Sequence, residues 1–215
     1  MPRKNLSKKQ EDVIAYAGMK FFDLYQTPQH HADHIFEYYS TTTEGTIYQK
    51  TRPLKVLDVC AGFGNLSKPW YDAGHEITMI ELNSELIPIL EKNFPKAKII
   101  NINYFEWEHD QEYDIILCNP PFNTDEYTKS HFYFLAKLLF SKPKDTILYF
   151  IGPSNFVKSA KEDDYLNFNQ IDLNKAMVKR MIDHKLIDKE FIFYQTHKNR
   201  WECANDYSIY VMKII

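Results

Sequence analysis

Short apolar runs alternate with amphipathic stretches along most of this chain. The apolar runs are six to eight residues long, a length typical of buried strands. We predict strands at 54–59, 76–81, 96–101, 113–118, 145–151, 190–195 and 207–214. We predict helices at 8–25, 83–94 and 126–140. A further helix should begin at Thr27–Pro28, and another should follow the first strand and end near Gly74. Strands that alternate with helices indicate an α/β protein.

The order of these elements predicts a doubly wound, mainly parallel sheet of seven strands. The segments 190–195 and 207–214 lie too close in sequence for a helical crossover, so we expect one antiparallel strand. We predict a single domain over 1–215, with N-terminal helices in 1–50 and the α/β core in 51–215. An insertion on the substrate side is expected at 152–187.

Composition and charge exclude some broad classes. The chain has 215 residues and a formal net charge of −3, so it lacks the overall basic character of many nucleic-acid-binding proteins. Cys60, Cys118 and Cys203 are widely spaced and odd in number, which favours reduced thiols in a cytoplasmic or nuclear compartment. No apolar run is of signal-peptide type or long enough to span a membrane, so we expect neither secretion nor a membrane partner.

A glycine-containing loop follows the first predicted strand in the stretch LDVCAGFGNLS, with Gly62 and Gly64. One interpretation is a dinucleotide fingerprint, although Ser67 stands at its third position. The other is a nucleoside site in which Glu81 accepts hydrogen bonds from ribose hydroxyls and Asp58 holds an ammonium group directly or through water. A pyrophosphate is disfavoured beside Asp58, so the charges favour a nucleoside with a cationic tail. A simple strand-to-helix turn is the remaining alternative.

The fourth predicted strand ends in LCNPPF, a sequence more specific than a turn requires. Two prolines fix φ, and each disfavours helical backbone in the residue before it. Asn119, Pro120 and Pro121 should therefore form a stiff extended segment whose carbonyls point away from the chain, followed by the ring of Phe122. Such a segment is suited to holding a planar molecule that carries an NH₂ group.

Taken together, DVCAGFGN, Glu81 and the NPPF tetrapeptide resemble the S-adenosylmethionine-dependent amino-methyltransferases with an NPPF, NPPY or DPPY motif. INYFEW resembles the family segment beside the adenine ring, and the TP of LYQTPQHHADHIF resembles an N-terminal motif that helps hold the methionine carboxylate. The resemblance implies a Rossmann-like class I fold and S-adenosylmethionine as cofactor. It implies cofactor-binding roles for Tyr25, Thr27, Pro28, Asp58, Cys60, Ala61, Gly62, Gly64, Asn65, Glu81, Leu82, Asn103, Tyr104 and Asn119.

The same resemblance implies that Asn119, Pro120, Pro121 and Phe122 are catalytic. The Asn119 side-chain oxygen and the Pro120 carbonyl would accept the two N–H groups of an amine, and Phe122 would stack on the target ring. We expect adenine N6 in DNA as the target, with base flipping if the DNA is duplex. RNA comes second, because the chain lacks a separate recognition domain and resembles small ribosomal-RNA adenine methyltransferases in length. Guanine N2 and protein glutamine remain alternatives.

Residues outside these motifs are expected to contact the substrate. Substrate-side positions are expected at Ser154, Asn155, Lys158, His197, Lys198 and Arg200. A single small domain leaves open a homodimer or a helper subunit as the means of binding nucleic acid.

His30 and His34 share a helix face without a complete zinc ligand set, so no metal is predicted. An NAD-dependent oxidoreductase would share the glycine loop without needing NPPF, and an inactive binding subunit would not need to keep NPPF.

Overall fold

The computed structural model describes part of the chain. The described residues are 26–41, 52–121, 131–141, 146–153, 187–188, 194–195 and 207–214. The predicted helix at 8–25 and nearly all of the predicted insertion at 152–187 lie outside them. The same holds for the predicted site residues Tyr25, Phe122, Ser154, Asn155, Lys158, His197, Lys198 and Arg200.

A central parallel sheet forms around the most apolar segments. Its strands are β1 (Lys55–Asp58), β2 (Glu76–Glu81), β3 (Lys98–Asn101), β4 (Ile115–Cys118) and β5 (Thr146–Pro153). Their order across the sheet is β3-β2-β1-β4-β5, with parallel pairing at each step. This order reverses direction at β1, so the carboxyl ends of β1, β2 and β4 frame the crevice where doubly wound folds bind ligands.

Three further strands extend the sheet beyond β5. They are β6 (Ile187–Asp188), β7 (Tyr194–Gln195) and β8 (Tyr207–Ile214). β8 is antiparallel to β5, and both β6 and β7 pair antiparallel with β8. Within the described residues the sheet therefore has eight strands rather than the predicted seven. The additional strand is β6, a two-residue segment too short for a hydrophobic pattern to reveal, whereas β7 falls within the strand predicted at 190–195.

The described helices are α1 (Gln29–Thr41), α2 (Lys68–Asp72), α3 (Ile87–Asn93) and α4 (His131–Phe140). A 3₁₀ turn at Ser84–Leu86 precedes α3, so the helix predicted at 83–94 is divided. Asn83 Oδ1 accepts the Glu85 N–H at 3.0 Å and starts the turn, while Pro88, which has no N–H, occupies the first turn of α3. In the described part of the chain, no helix has the length and apolar character needed to cross a membrane.

The hydrophobic core lies on both faces of the sheet, as the alternation along each strand requires. Val56 joins the cluster beneath α1, α2 and α3, which includes Tyr39 and the fully buried Trp70. Leu57 joins the opposite cluster, which includes Phe134 of α4. The Tyr39 and Trp70 rings lie 5.1 Å apart, which docks α1 on this face. Docking α1 brings the segment that precedes it, residues 26–28, to the carboxyl end of the sheet.

Candidate active site

The glycine loop begins where β1 ends and is held from both sides by neighbouring strands. The N–H of Val59 donates to the Leu117 carbonyl of β4 at 3.0 Å, and the N–H of Ala61 donates to the Ile80 carbonyl of β2 at 3.1 Å. The loop thus lies across the carboxyl ends of β1, β2 and β4. Sequence alone placed it after β1, but these bonds fix its position relative to the other two strands.

Two glycines in this loop adopt backbone conformations that other residues rarely take. Gly62 has a φ of 55° and Gly64 a φ of 82°. A Cβ on Gly64 would lie 2.3 Å from the Phe94 ring, so the residue also has to be small. A Cβ on Gly62 would lie 2.5 Å from the Gln26 side chain. Gly64 therefore allows the loop to pack against the end of α3, and Gly62 allows it to pass under the segment before α1.

Glu81 closes β2 with its carboxylate turned toward the loop. Its Oε2 accepts the Gly62 N–H at 2.7 Å, and its Oε1 accepts the Asn83 N–H at 2.8 Å. Burial raises the pKa of Glu81, and these backbone N–H groups partly oppose that rise. A carboxylate held in this way keeps a second lone pair on each oxygen, which can accept hydrogen bonds from a ligand's hydroxyl groups.

Asp58, the last residue of β1, is fully buried behind the loop. Its Oδ2 accepts the Ser67 hydroxyl at 2.7 Å, whereas Oδ1 accepts no well-formed hydrogen bond from the described residues. Burial raises the pKa of Asp58 to about 7, against the opposing effect of the Ser67 hydroxyl and a weaker one from the Cys60 backbone. Because the side chain has no exposed surface, the expected contact with an ammonium group would run through water or require the loop to shift.

The loops after β2 and β3 are joined beside Glu81, and each carries an exposed apolar side chain. Asn101 Nδ2 donates to the carbonyls of Glu81 at 2.8 Å and Leu82 at 3.0 Å, which ties the two loops together. Leu82 and Phe105 are 67% and 40% exposed, and they are the exposed large hydrophobic side chains of the described residues. Asn103, expected beside adenine, uses Oδ1 to accept the Phe105 N–H at 3.0 Å. Phe105 was not predicted as a site residue.

Helix α4 holds the loop after β3 in place. Lys137 Nζ donates to the carbonyls of Tyr104 at 2.8 Å, Phe105 at 3.0 Å and Trp107 at 2.6 Å. The Tyr104 ring stacks on Phe134 with 5.7 Å between centroids, and it is buried. Tyr104 was expected to contact the cofactor. Its ring is part of the core, so only its backbone remains for such a contact. Lys137 was not identified from the sequence, since nothing there indicates this long-range contact.

The TP segment contacts both the glycine loop and the NPPF segment. Asn119 Nδ2 donates to Thr27 Oγ1 at 3.0 Å, and Asn65 Nδ2 donates to the Thr27 carbonyl at 2.9 Å. The Phe63 N–H donates to Gln26 Oε1 at 3.3 Å. Three motifs that are far apart in the sequence therefore meet at one place. Gln26 was not among the predicted site residues.

The remaining predicted residues surround this meeting point. The Pro28 carbonyl accepts the N–H groups of His31 at 3.0 Å and Ala32 at 3.3 Å, which starts α1. Asn119 and Pro121 are half-buried and Pro120 is buried. Cys60 packs against the core cluster that includes Cys118, and the neighbouring Cys118 thiol together with burial raises the pKa of Cys60. Cys60 is thereby fixed next to the first residue of NPPF.

These features fit S-adenosylmethionine. A tight loop with left-handed glycines borders a carboxylate suited to ribose hydroxyls, and Leu82, directly after that carboxylate, exposes an apolar side chain suited to a purine face. Asp58, buried at the end of β1 beneath the loop, is a second acidic side chain that borders it. A dinucleotide fits this site less well, because the carboxylates of Asp58 and Glu81 border the loop and would repel its diphosphate.

Comparison with known proteins agrees with this description. Residues 46–145 match the sequence model of the methyltransferase small domain. No curated protein sequence matches the chain significantly.

Several solved structures share the fold at low sequence identity. A candidate RNA methyltransferase of Pyrococcus horikoshii has a TM-score of 0.59 at 20% identity, over 98% of each chain. The 23S rRNA methyltransferase ErmE has a TM-score of 0.62 at 16% identity, over 89% of this chain and 70% of its own. A candidate class I S-adenosylmethionine-dependent methyltransferase of Listeria monocytogenes has a TM-score of 0.67 at 11% identity, over 96% of this chain and 66% of its own.

The fold is therefore that of a class I methyltransferase, as predicted. Over residues 46–145, which include the glycine loop, Glu81 and NPPF, the chain is similar to the methyltransferase small domain, and the site described above is suited to S-adenosylmethionine.

Proposed function

We propose that this protein transfers a methyl group to N6 of adenine in a nucleic acid, with RNA the preferred polymer and DNA the alternative. The observation that carries the proposal is the position of Asn119. It follows β4 directly, precedes Pro120 and Pro121, and is hydrogen-bonded to Thr27 beside the glycine loop. A side-chain amide and a proline carbonyl next to a cofactor site are suited to binding an exocyclic amine.

The reaction requires the amine nitrogen to become a better nucleophile, because its lone pair is delocalised into the ring. Asn119 Oδ1 and the Pro120 carbonyl would each accept one N–H of the amine. Two such bonds draw the nitrogen toward a tetrahedral shape and direct its lone pair away from the ring. The same carbonyl dipoles stabilise the positive charge that develops on nitrogen, and one proton is then lost to water.

The residues proposed to hold the cofactor are those described above. S-adenosylmethionine, when bound, would supply a sulfonium methyl group whose carbon the nitrogen lone pair attacks, so that an N–C bond forms while the C–S bond breaks and sulfur leaves as a thioether. Glu81 would accept hydrogen bonds from the ribose hydroxyls, and Leu82 and Phe105 would flank the adenine ring of the cofactor. Asn103 has two N–H donors on Nδ2 for the edge of that ring. Asp58 would attract the cationic tail through the loop.

The order of polymers rests on two different supports. NPPF resembles the tetrapeptide of adenine-specific DNA methyltransferases, which favoured DNA from sequence. Two of the structures with this fold, however, carry RNA methyltransferase in their names, and one of them is matched over 98% of both chains. We therefore place RNA ahead of DNA. The assay below tests protein glutamine amides as substrates, and digestion of the labelled nucleic acid to nucleosides distinguishes guanine N2 from adenine N6.

The proposal is tested by transfer of a tritiated methyl group from S-adenosylmethionine. Ribosomal RNA, duplex DNA and single-stranded DNA that lack adenine methylation are offered in parallel, with an unmodified protein extract as the fourth substrate. Asn119→Ala removes the proposed amine acceptor and is expected to lower transfer at least a hundredfold. Asn93→Ala, which changes an asparagine at the end of α3, is the matched control and should transfer normally.

Label that enters RNA with the wild type and not with Asn119→Ala supports the proposal. Label that enters only DNA reverses the order of polymers while keeping the chemistry. Label confined to protein, or equal transfer by Asn119→Ala, refutes the proposed function.

A further inference from the structure

We infer that Thr27 is a positioning residue for the proposed catalytic amide: its hydroxyl fixes the orientation of the Asn119 side chain. This inference rests on the proposed function and assigns Thr27 a role beyond the cofactor contact expected from the TP motif. The observation is the hydrogen bond from Asn119 Nδ2 to Thr27 Oγ1, 3.0 Å long and spanning 92 positions of sequence. It joins the segment before α1 to the end of β4.

The chemistry of Asn119 depends on which end of its amide faces the amine. Rotation of the amide by 180° exchanges an acceptor oxygen for an NH₂ group, and an NH₂ group would repel the N–H donors that the proposed reaction must bind. With Nδ2 bonded to Thr27, Oδ1 is the atom turned away from the TP segment. In this arrangement the hydroxyl accepts from Nδ2 and holds Asn119 in the orientation in which Oδ1 can act as the acceptor.

Thr27 is itself held firmly enough to serve as a reference point. It is buried, with 4% of its surface exposed. Its carbonyl accepts the Asn65 Nδ2 hydrogen bond at 2.9 Å, and the Asn65 carbonyl accepts one from Gln29 Nε2 at 3.4 Å. A β-branched side chain also has a stiff χ1 torsion, so the hydroxyl has little freedom to move.

These contacts also connect the cofactor loop to the catalytic amide. Asn65 belongs to the glycine loop, and Thr27 links it to Asn119 through one backbone and one side-chain hydrogen bond. A shift of the glycine loop would thus be transmitted to Asn119 through Thr27. A positioning residue of this kind should affect the rate of methyl transfer more than the affinity for the cofactor.

The experiment compares Thr27→Val, Thr27→Ser and the wild type. Valine keeps the shape of threonine and removes the hydroxyl, whereas serine keeps the hydroxyl. With the polymer substrate that the wild type methylates, Thr27→Val should lower kcat about tenfold, the effect expected from losing one functional hydrogen bond. The Kd for S-adenosylhomocysteine, measured by calorimetry, should stay within about twofold, and Thr27→Ser should restore most of kcat. Thr41→Val, at the exposed end of α1, is the control.

A second readout requires no catalytic activity. The side-chain NH₂ resonances of Asn119, assigned by comparison with Asn119→Ala in ¹⁵N-labelled protein, report the hydrogen bond directly. In Thr27→Val these protons should shift and exchange faster with water, and in Thr27→Ser they should stay close to wild type. Thermal unfolding of each variant establishes that the comparison is made on folded protein.

Two results would overturn the inference. Thr27→Val with wild-type kcat and unchanged Asn119 resonances would show that the hydroxyl does not orient the amide. A loss of cofactor affinity equal to the loss in rate would make Thr27 a cofactor ligand instead. If the wild type methylates no nucleic acid, the proposed function fails, and the resonances alone then decide whether Thr27 orients Asn119.

Discussion

Replacing Asp58 by asparagine should stabilise the cofactor-free protein at alkaline pH. The carboxylate is fully buried, and its pKa is raised from 3.8 to about 7 by burial. Between these two values the folded state keeps a proton that the unfolded chain has already released. The free energy of unfolding of the wild type therefore falls as pH rises through this interval and stays lower above it. A shift of this size corresponds to about 4 kcal/mol as an upper estimate.

Asparagine has nearly the same shape, can still accept the Ser67 hydrogen bond through Oδ1, and does not ionise. About 3 kcal/mol of the total falls between pH 5 and pH 8.5, so the variant should gain about that much stability relative to wild type over this range. Urea unfolding of both proteins at the two pH values measures it. Asp72→Asn, an exposed carboxylate paired with Lys68, controls for the loss of a charge. An equal stability difference at both pH values would refute the reasoning.

Two further substitutions test the packing around the site. Gly64→Ala should cost about 2–4 kcal/mol, because it combines left-handed backbone with a Cβ 2.3 Å from Phe94. Gly74→Ala shares the positive φ but meets nothing within 4 Å, so in urea unfolding it should lose only about 1–2 kcal/mol; equal losses would contradict the packing argument. Lys137→Met removes three hydrogen bonds to carbonyls of the loop after β3 and should weaken S-adenosylhomocysteine binding severalfold in calorimetry. Lys68→Met is the control and should bind normally. Equal affinities of the two variants would contradict a role for Lys137 in holding this loop.

The hydrophobic pattern predicted the parallel strands well and their starting points less well. The segment 113–118 was predicted as a strand, but β4 begins at Ile115. Asp114 still makes backbone hydrogen bonds to Lys55 at 2.9 Å and Ile147 at 3.0 Å. Its carboxylate in addition accepts the Lys55 N–H and pairs with Arg52, and the Tyr113 carbonyl accepts the Thr146 hydroxyl. Such contacts join residues far apart in the sequence and leave no local signal.

The residues of the candidate site were also only partly predictable from the sequence. Gly62, Gly64 and Glu81 were recognisable because local backbone geometry and charge restrict what can stand there. Gln26 and Lys137 were not recognisable, since each acts through hydrogen bonds to backbone groups that only the folded chain brings near.

The atom that receives the methyl group tests the central claim most directly. RNA methylated by the wild type and by Asn119→Ala would be digested to nucleosides and analysed by mass spectrometry with isotopically labelled S-adenosylmethionine. The proposed reaction should place label in N6-methyladenosine, and this label should be lost in the variant. Label on a ring carbon or a ribose oxygen would contradict it, as would N6-methyladenosine formed equally by both proteins, because neither outcome needs an amide that binds an exocyclic amine.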